Sequence, residues 1–217
     1  MPPDRLPRFG DRRRTRVGLL GGSFNPAHPG HRHIALLARR RLRLDQVWLL
    51  VSPGNPLKPA CGMAPLAARL ASARAIGDGR RIVASAIEAS LGTRHTVATL
   101  AALHRRFPRV RFVWLMGADN LAQLPRWWRW QAIAAGTVFA VLPRPGYNHA
   151  ALAGQAARKL RAARLRAHVA PVLAALPPPS WLFLPTPQHA ASATALRAAA
   201  KGVSDHRPQA ACPTLAA

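Results

Sequence analysis

The chain has 217 residues, of which 49% are hydrophobic, and a formal net charge of +25. This length supports a core of one or one and a half domains, and no apolar run approaches the 18 or so residues of a membrane span. The apolar run after the basic N-terminus is too short for a secretory signal, and Cys61 and Cys212 form neither a disulfide framework nor a metal spacing, so we expect a cytoplasmic protein.

Apolar runs and helical periodicity alternate along the chain. Residues 1–15 read as a basic arm that we predict to be disordered, residues 16–202 as one folded domain, and residues 203–217 as an irregular tail. We predict strands at 17–20, 47–51, 81–84, 110–116, 137–142 and 181–184, and helices at 30–44, 64–76, 95–106, 127–135, 150–166 and 192–200. This alternation predicts an α/β protein with a Rossmann-like, doubly wound parallel sheet and helices on both faces.

A glycine-rich turn follows the first strand and leads into the first helix. It begins with Gly21, Gly22, Ser23 and Phe24 and ends in a segment that carries two histidines, His28 and His31. Glycines let a phosphate approach the backbone, and a helix N-terminus offers N–H groups and a positive dipole end. Imidazoles three residues apart share one helical face, so both can reach one phosphate. The segment therefore predicts a nucleotide-phosphate site.

Ligands of parallel sheets bind where the strands end, which brings two further segments to the same edge. One is the loop 52–65, rich in proline and glycine, which carries Lys58. The other follows the strand at 110–116 and contains Gly117 and Asp119. The chain has neither a P-loop motif nor a G-x-G-x-x-G after a strand. The first absence excludes a P-loop NTPase, and the second argues against binding of a redox dinucleotide.

A second anion site is predicted at the start of the helix at 192–200. Ser192 and Thr194 are helix-capping residue types, and Arg197 lies about one turn into the helix. Exposed N–H groups and a guanidinium together can bind phosphate oxygens.

The positive charge is almost entirely arginine, since Lys58, Lys159 and Lys201 are the lysines. A dense cationic surface can bind nucleic acid through phosphate contacts. We favour a GC-rich genome as the origin, because the basic residues are spread along helices without interleaved aromatics. A nucleic-acid partner is therefore not expected.

The first motif, with His28-Pro29-Gly30-His31 at its end, resembles the signature of the nucleotidyltransferase superfamily with the HxGH motif. The segment from Ser192 to Arg197 is similar to that superfamily's second signature. Gly117-Ala118-Asp119 with Trp127-Trp128, the segment around Thr96, and Arg144-Pro145-Gly146 resemble the bacterial nicotinate-nucleotide adenylyltransferases. The resemblance covers roughly residues 16–202.

The resemblance implies an ATP-dependent enzyme of NAD synthesis that transfers AMP to nicotinate mononucleotide. It implies Mg²⁺ arriving with ATP, with no metal site in the protein. The catalytic residues it implies are His28, His31, Lys58 and Arg197. The ATP-binding residues it implies are Gly21, Gly22, Ser23, Phe24, His28, His31, Gly117, Asp119, Arg144, Ser192, Thr194 and Arg197. The nicotinate-nucleotide contacts it implies are Asn25, Lys58, Thr96, Trp127 and Trp128, with the first tryptophan stacking on the nicotinate ring. Trp130 is assigned to packing.

The chain departs from the family at four places: Asn25 replaces a frequent Asp, Ala98 a polar or acidic residue, Ala191 an apolar isoleucine, and the sequence after Gly202 lacks the helical periodicity of the family's terminal helix. The tail leaves any homo-oligomer contact there undecided. Three alternatives stay open. They are a superfamily member using nicotinamide mononucleotide or phosphopantetheine, a basic nucleic-acid-binding protein, and a degraded relative.

Overall fold

The fold is a parallel sheet, and the computed structural model describes it over residues 14–54 and 62–187. Every strand pairing in this part of the chain is parallel, and the strand order is β3-β2-β1-β4-β5-β7-β6. The strands are β1 (Arg16–Gly22), β2 (Gln46–Val51), β3 (Ile82–Ser85), β4 (Arg111–Gly117), β5 (Val138–Leu142), β6 (Arg164–Leu165) and β7 (Trp181–Phe183). The chain crosses from one side of β1 to the other between β3 and β4, which makes the junction of β1 and β4 the topological switch point.

Helices connect the strands and cover both faces. They are α1 (Pro29–Arg41), α2 (Leu66–Ile76), α3 (Ile87–Ser90), α4 (Thr96–Arg106), α5 (Ala118–Gln123), α6 (Trp130–Gly136), α7 (Asn148–Ala153) and α8 (Gln155–Lys159). Short 3-10 helices span Leu124–Arg126, Arg161–Ala163 and Ala167–Ala175. The predicted Rossmann-like class is confirmed.

The strand side chains alternate between two apolar clusters, one on each face, as the two-residue period of a strand requires. Leu19 and Leu50 join the cluster beneath α4 to α8, whereas Leu20 and Leu49 join the cluster beneath α1 and α2. Both faces are buried, and this is why the strands appear in the sequence as continuous apolar runs.

The predicted helices at 150–166 and 127–135 differ from the structure in ways that change the fold or move a motif. The helix predicted at 150–166 is wrong, because Gly154 adopts extended backbone with ψ of 170° and separates α7 from α8. A Cβ at this glycine would lie 3.0 Å from the carbonyl oxygen of Ala150. The chain then turns through a 3-10 helix into β6. This strand was not predicted from the sequence, and neither were α3, α5 and the 3-10 helix Ala167–Ala175.

The other helix, predicted at 127–135, begins at Trp130 instead. Arg129 has a φ of 50°, which is outside the right-handed helical region. Trp127 and Trp128 therefore precede the helix and belong to a connecting segment. The first helix also ends early, at Arg41, because Arg43 has a φ of 50°.

Gly21 is required by packing against its neighbour strand. A Cβ on Gly21 would lie 2.5 Å from the Cη2 atom of Trp114 on β4. We expect Gly21→Ala to lower the free energy of unfolding by about 1–3 kcal/mol, the usual cost of overpacking. Chemical denaturation measures this, and Trp114→Phe in the same chain should restore part of the loss. Gly136→Ala is the matched control, since its Cβ would meet no atom within 4 Å.

No helix in the described ranges is long and apolar enough to cross a lipid bilayer.

Candidate active site

A cleft of about 370 Å³ opens at the carboxyl ends of β1, β2 and β4. One wall is the glycine-rich turn, with Gly21, Gly22 and Ser23 on its surface. Ser52 and Gly54, which follow β2, continue this wall, because the register places Gly22 beside Val51 at the strand ends. The position agrees with the rule that parallel sheets bind ligands beyond their carboxyl ends, at the switch point.

The rest of the lining comes from two further parts of the chain. Glu88 of α3 and the residues at the start of α4, Arg94, His95 and Thr96, follow β3. Trp114 of β4 and six residues after that strand complete the lining: Asp119, Asn120, Gln123, Arg126, Trp127 and Trp128. The cleft thus joins the glycine-rich turn to an aromatic wall formed by Trp114, Trp127 and Trp128.

The histidine pair stands at the N-terminus of α1, as predicted. His28 is the N-cap residue and is 4% exposed, and its ring centroid lies 3.9 Å from that of His31. The backbone N–H of His28 donates to Nδ1 of His31 at 3.2 Å. Since Nδ1 accepts this bond, the proton of the neutral His31 ring lies on Nε2, which makes Nε2 the donor nitrogen. Neither histidine belongs to the lining of the cleft described above.

Two predicted residues beside this pair have their side chains engaged elsewhere. Phe24 is 2% exposed, and its ring centroid lies 4.9 Å from that of His31, so its side chain is buried against the pair and does not line the cleft. Asn25 donates from Nδ2 to the carbonyl of Gly62 at 2.8 Å and accepts from the N–H of Ala64 at 3.2 Å. Asn25 thus fixes the backbone just before α2, at Gly62 and Ala64.

The two tryptophans predicted to contact nicotinate differ in environment. Trp127 is half-buried, and its ring meets Trp114 edge-on, with 6.5 Å between the centroids. Trp128 is 53% exposed, and its ring centroid lies 5.0 Å from that of His95. The guanidinium carbon of Arg129 lies over the Trp128 ring, 5.6 Å from its centroid. Trp130 is 5% exposed and packs in the core, as predicted.

Asp119 and Arg144 meet at the ends of β4 and β5. Their closest charged atoms, Oδ2 of Asp119 and Nε of Arg144, are 3.7 Å apart. A Cβ on Gly117 would clash with the Asp119 carboxylate, so the glycine leaves room for this side chain. Asp119 lines the cleft, whereas Gly117 and Arg144 do not belong to its lining.

The cleft therefore brings together seven of the predicted residues: Gly21, Gly22, Ser23, Thr96, Asp119, Trp127 and Trp128. Lys58, Ser192, Thr194 and Arg197 lie outside the described residues, as do residues 1–13 of the arm predicted at 1–15, the helix predicted at 192–200 and the tail.

Comparison with known proteins decides the family. The cytidylyltransferase-like family model matches residues 19–199. The chain is 59% identical to a probable nicotinate-nucleotide adenylyltransferase of Gluconacetobacter diazotrophicus, over 88% of this chain and 89% of that protein. It is 62% identical to a protein of the same name from Gluconobacter oxydans, over 84% and 93%. The chain belongs to the nicotinate-nucleotide adenylyltransferases.

Solved structures of this enzyme class share the fold at low sequence identity. The nicotinic acid mononucleotide adenylyltransferase of Plasmodium falciparum, complexed with APC, superposes with a TM-score of 0.62 at 14% identity, covering 85% of this chain and 83% of that one. The predicted family and the predicted fold are both confirmed.

Several residues of the cleft were not singled out from the sequence, and Glu88 is the most unusual of them. It is 8% exposed and accepts a hydrogen bond from Oγ1 of Thr99 at 3.1 Å. Burial raises the pKa of the Glu88 carboxyl, although hydrogen bonds from Thr99 and Ser52 oppose part of the rise. A carboxyl in the alanine-rich segment before Thr93 carries no sequence signal of burial.

The raised pKa of Glu88 predicts how stability depends on pH. Below the ordinary pKa of glutamate, about 4.3, the carboxyl is protonated in both the folded and unfolded states. As the pH rises through the raised folded value, the native protein must bury a charge, so the contribution to stability falls and then levels off. We expect Glu88→Gln to abolish this decline, so that the variant gains stability relative to wild type as the pH rises.

Urea denaturation from acidic to neutral pH measures the difference. Asp78→Asn is the control of opposite sign. Burial opposes the shift, yet three backbone N–H groups, those of Ile82, Arg80 and Arg81, leave the pKa of Asp78 lowered. Its variant should therefore differ from wild type at neutral pH and converge with it in acid. Parallel profiles for wild type and Glu88→Gln would contradict the assignment.

Proposed function

We propose that this chain transfers AMP from ATP to nicotinate mononucleotide, giving nicotinate adenine dinucleotide and pyrophosphate. One observation carries the proposal: the same cleft is lined by the glycine-rich turn that leads into α1 and by Trp127. A phosphate fits the first feature and a flat pyridine ring fits the second. Family membership selects nicotinate among the acceptors that such a cleft suits.

The reaction is an in-line displacement at the α-phosphorus of ATP. An oxygen of the mononucleotide's 5′-phosphate forms the new bond, and the bond from the α-phosphorus to the bridging oxygen breaks, with its electron pair leaving on pyrophosphate. The attacking phosphate is already largely ionised near neutral pH, so no general base is required. Positioning and electrostatic stabilisation of the developing charge supply the rate enhancement.

At the phosphate end, His28 and His31 would donate to the α-phosphate and the bridging oxygen. The closeness of the two rings, whose centroids are 3.9 Å apart, favours such a role, since both lie at the N-terminus of α1. The backbone N–H groups of the turn, from Gly22 to Phe24, would follow the phosphate path. Lys58 and Arg197 would bind the β- and γ-phosphates, with Ser192 and Thr194 capping the second anion site.

At the acceptor end, Trp127 would stack on the nicotinate ring and Thr96 would meet its carboxylate side. Thr96 is the first residue of α4, whose N-terminus favours a negative charge. Trp128 would contact the mononucleotide from the exposed rim. Asn25 would act through the chain it holds at Gly62 and Ala64, which returns from the Lys58 segment.

Asp119 and Arg144 are suited to the nucleoside part of ATP. A carboxylate at the end of β4 can accept hydrogen bonds from ribose hydroxyls. Arg144, 3.7 Å away, holds that carboxylate in place and offers further donors.

Mg²⁺ would enter with ATP and neutralise phosphate charge. Within residues 14–54 and 62–187 no group of three or more His, Cys, Asp or Glu side chains could hold a metal ion. The donors present fit an ion carried by the triphosphate, because phosphate oxygens and water are the ligands that Mg²⁺ keeps in such sites. We expect the enzyme to work in the cytoplasm, where ATP and Mg²⁺ are present, and leave its oligomeric state open.

Pyrophosphate release tests the function. Purified protein is mixed with ATP, Mg²⁺ and either nicotinate or nicotinamide mononucleotide. Release with the acid and little with the amide is the expected result. Release with only the amide or with phosphopantetheine would favour a different acceptor. Salt-sensitive DNA binding without turnover would instead favour the nucleic-acid alternative.

A further inference from the structure

Arg69 is a buried cation on α2, and within the described residues its side chain donates hydrogen bonds to backbone carbonyls. The residue is 3% exposed. Its Nε donates to the carbonyl of Ala64 at 2.8 Å, and its Nη2 donates to that of Pro53 at 3.3 Å. Its Nη1 donates to Ser23 at 2.8 Å and to Ser52 at 2.7 Å.

These carbonyls belong to three separate segments that meet at the cleft. Ser23 lies in the turn after β1, Ser52 and Pro53 follow β2, and Ala64 is where the described chain returns before α2. A guanidinium has five N–H donors in a rigid planar fork, which is why one side chain can bind all three segments. A lysine ammonium offers three donors from one point and cannot span them.

The charge of Arg69 has no carboxylate partner in the part of the chain that the structure describes. Burial alone lowers its pKa, and no acidic side chain opposes that effect. A buried charge is costly unless it is paired or fully hydrogen-bonded. Carbonyl dipoles supply the hydrogen bonds but leave the positive charge uncancelled, so its field extends toward the turn.

The carbonyls held by Arg69 also orient the N–H groups of the same peptide units. In a trans peptide the C=O and N–H point in opposite directions. The Ser23 carbonyl points at Arg69, so the N–H of Phe24 points away from it. The Pro53 carbonyl does the same for the N–H of Gly54, which lines the cleft. Two backbone donors thus point away from Arg69, and Ser23 and Gly54 of the same two segments line the cleft.

We infer that Arg69 is a positioning residue for the polyphosphate of ATP, holding the turn after β1 and the loop after β2 in one arrangement with their N–H groups presented to phosphate. The substrate named here rests on the proposed function. Ser72, one turn further along α2, supports the same turn by accepting a hydrogen bond from the N–H of Ala27 at 3.1 Å. Two residues of α2, one turn apart, therefore hold the segment after β1 in place.

The test compares Arg69→Lys with wild type and with Arg74→Lys. Arg74 is an arginine on the same helix whose buried Nε and Nη2 have no hydrogen-bond partner among the described residues, so it is a matched control. We expect Arg69→Lys to bind ATP and inorganic tripolyphosphate at least about tenfold more weakly and to lower kcat by about a hundredfold. The KM for nicotinate mononucleotide should change less than about threefold, and Arg74→Lys should behave as wild type.

Two outcomes would overturn the inference. One is wild-type ATP affinity and kcat in Arg69→Lys. The other is an equal loss of affinity for both substrates together with a lower unfolding temperature, which would mean a purely structural role.

A measurement on the unaltered protein decides the case if the variant does not fold. Amide resonances of Phe24 and Gly54 should shift on adding inorganic tripolyphosphate, and unchanged resonances would overturn the inference. If wild type releases no pyrophosphate but binds tripolyphosphate in an Arg69-dependent way, the proposed function fails and the positioning role stands.

Discussion

Replacing His31 with alanine is expected to lower kcat by about two to three orders of magnitude while the protein stays folded. The proton on Nε2 of His31 is placed there by the hydrogen bond that Nδ1 accepts from the backbone of His28. Under the proposed function, removal of the ring takes away a donor to the charge that develops on the phosphate, and one such donor is worth about this much in rate. Pyrophosphate release at saturating ATP and mononucleotide measures kcat.

The loss should separate cleanly from stability. The substitution also removes a helix-capping acceptor, at a cost of about 1 kcal/mol, which thermal unfolding will show. His33→Ala is the matched control, since His33 lies on the same helix and its Nε2 meets the carbonyl of Pro187 at 3.1 Å instead. Near wild-type turnover in the His31 variant would mean that the motif does not bind the reacting phosphate.

Replacing Trp127 with alanine is expected to raise the KM for nicotinate mononucleotide by about ten- to a hundredfold and that for ATP by much less. Stacking of a pyridine ring on an indole is worth about 1–3 kcal/mol, and the half-buried Trp127 presents a fixed face because Trp114 packs against it. Steady-state kinetics with each substrate varied in turn measure the split.

Trp128→Ala provides the comparison. Its ring is 53% exposed and leans on His95 and Arg129, so its truncation should raise the mononucleotide KM several-fold less than that of Trp127. Equal increases in both KM values for Trp127→Ala would remove the stacking role and leave only a packing contribution.

The sheet was predictable because parallel strands buried on both faces are continuous apolar runs. The broken helix around Gly154 was not, since alanine fills both α7 and α8 and gives no contrast between a buried and an exposed face. A glycine in such a segment could equally be tolerated within a helix. Arg129, which ends the connecting segment before α6, has a left-handed backbone that no residue type at this position announces.

The residues proposed to bind phosphate were predictable for a different reason. Gly21, Gly22 and the histidine pair belong to a local motif, and the chemistry of that motif follows from neighbours in sequence. Arg69 and Glu88 act through contacts across the fold. A buried charge in an alanine-rich stretch has the same sequence pattern as a solvated one, so only the structure identifies it.

Trp114 lies between the glycine-rich turn and the aromatic side of the cleft. Its indole fills the space above Gly21 on one side and meets Trp127 on the other, so a single rigid ring system spaces the phosphate turn from the aromatic wall. Because an indole is rigid, we expect this separation to be fixed by the fold, so that under the proposed function an acceptor is selected by the distance between its phosphate and its ring.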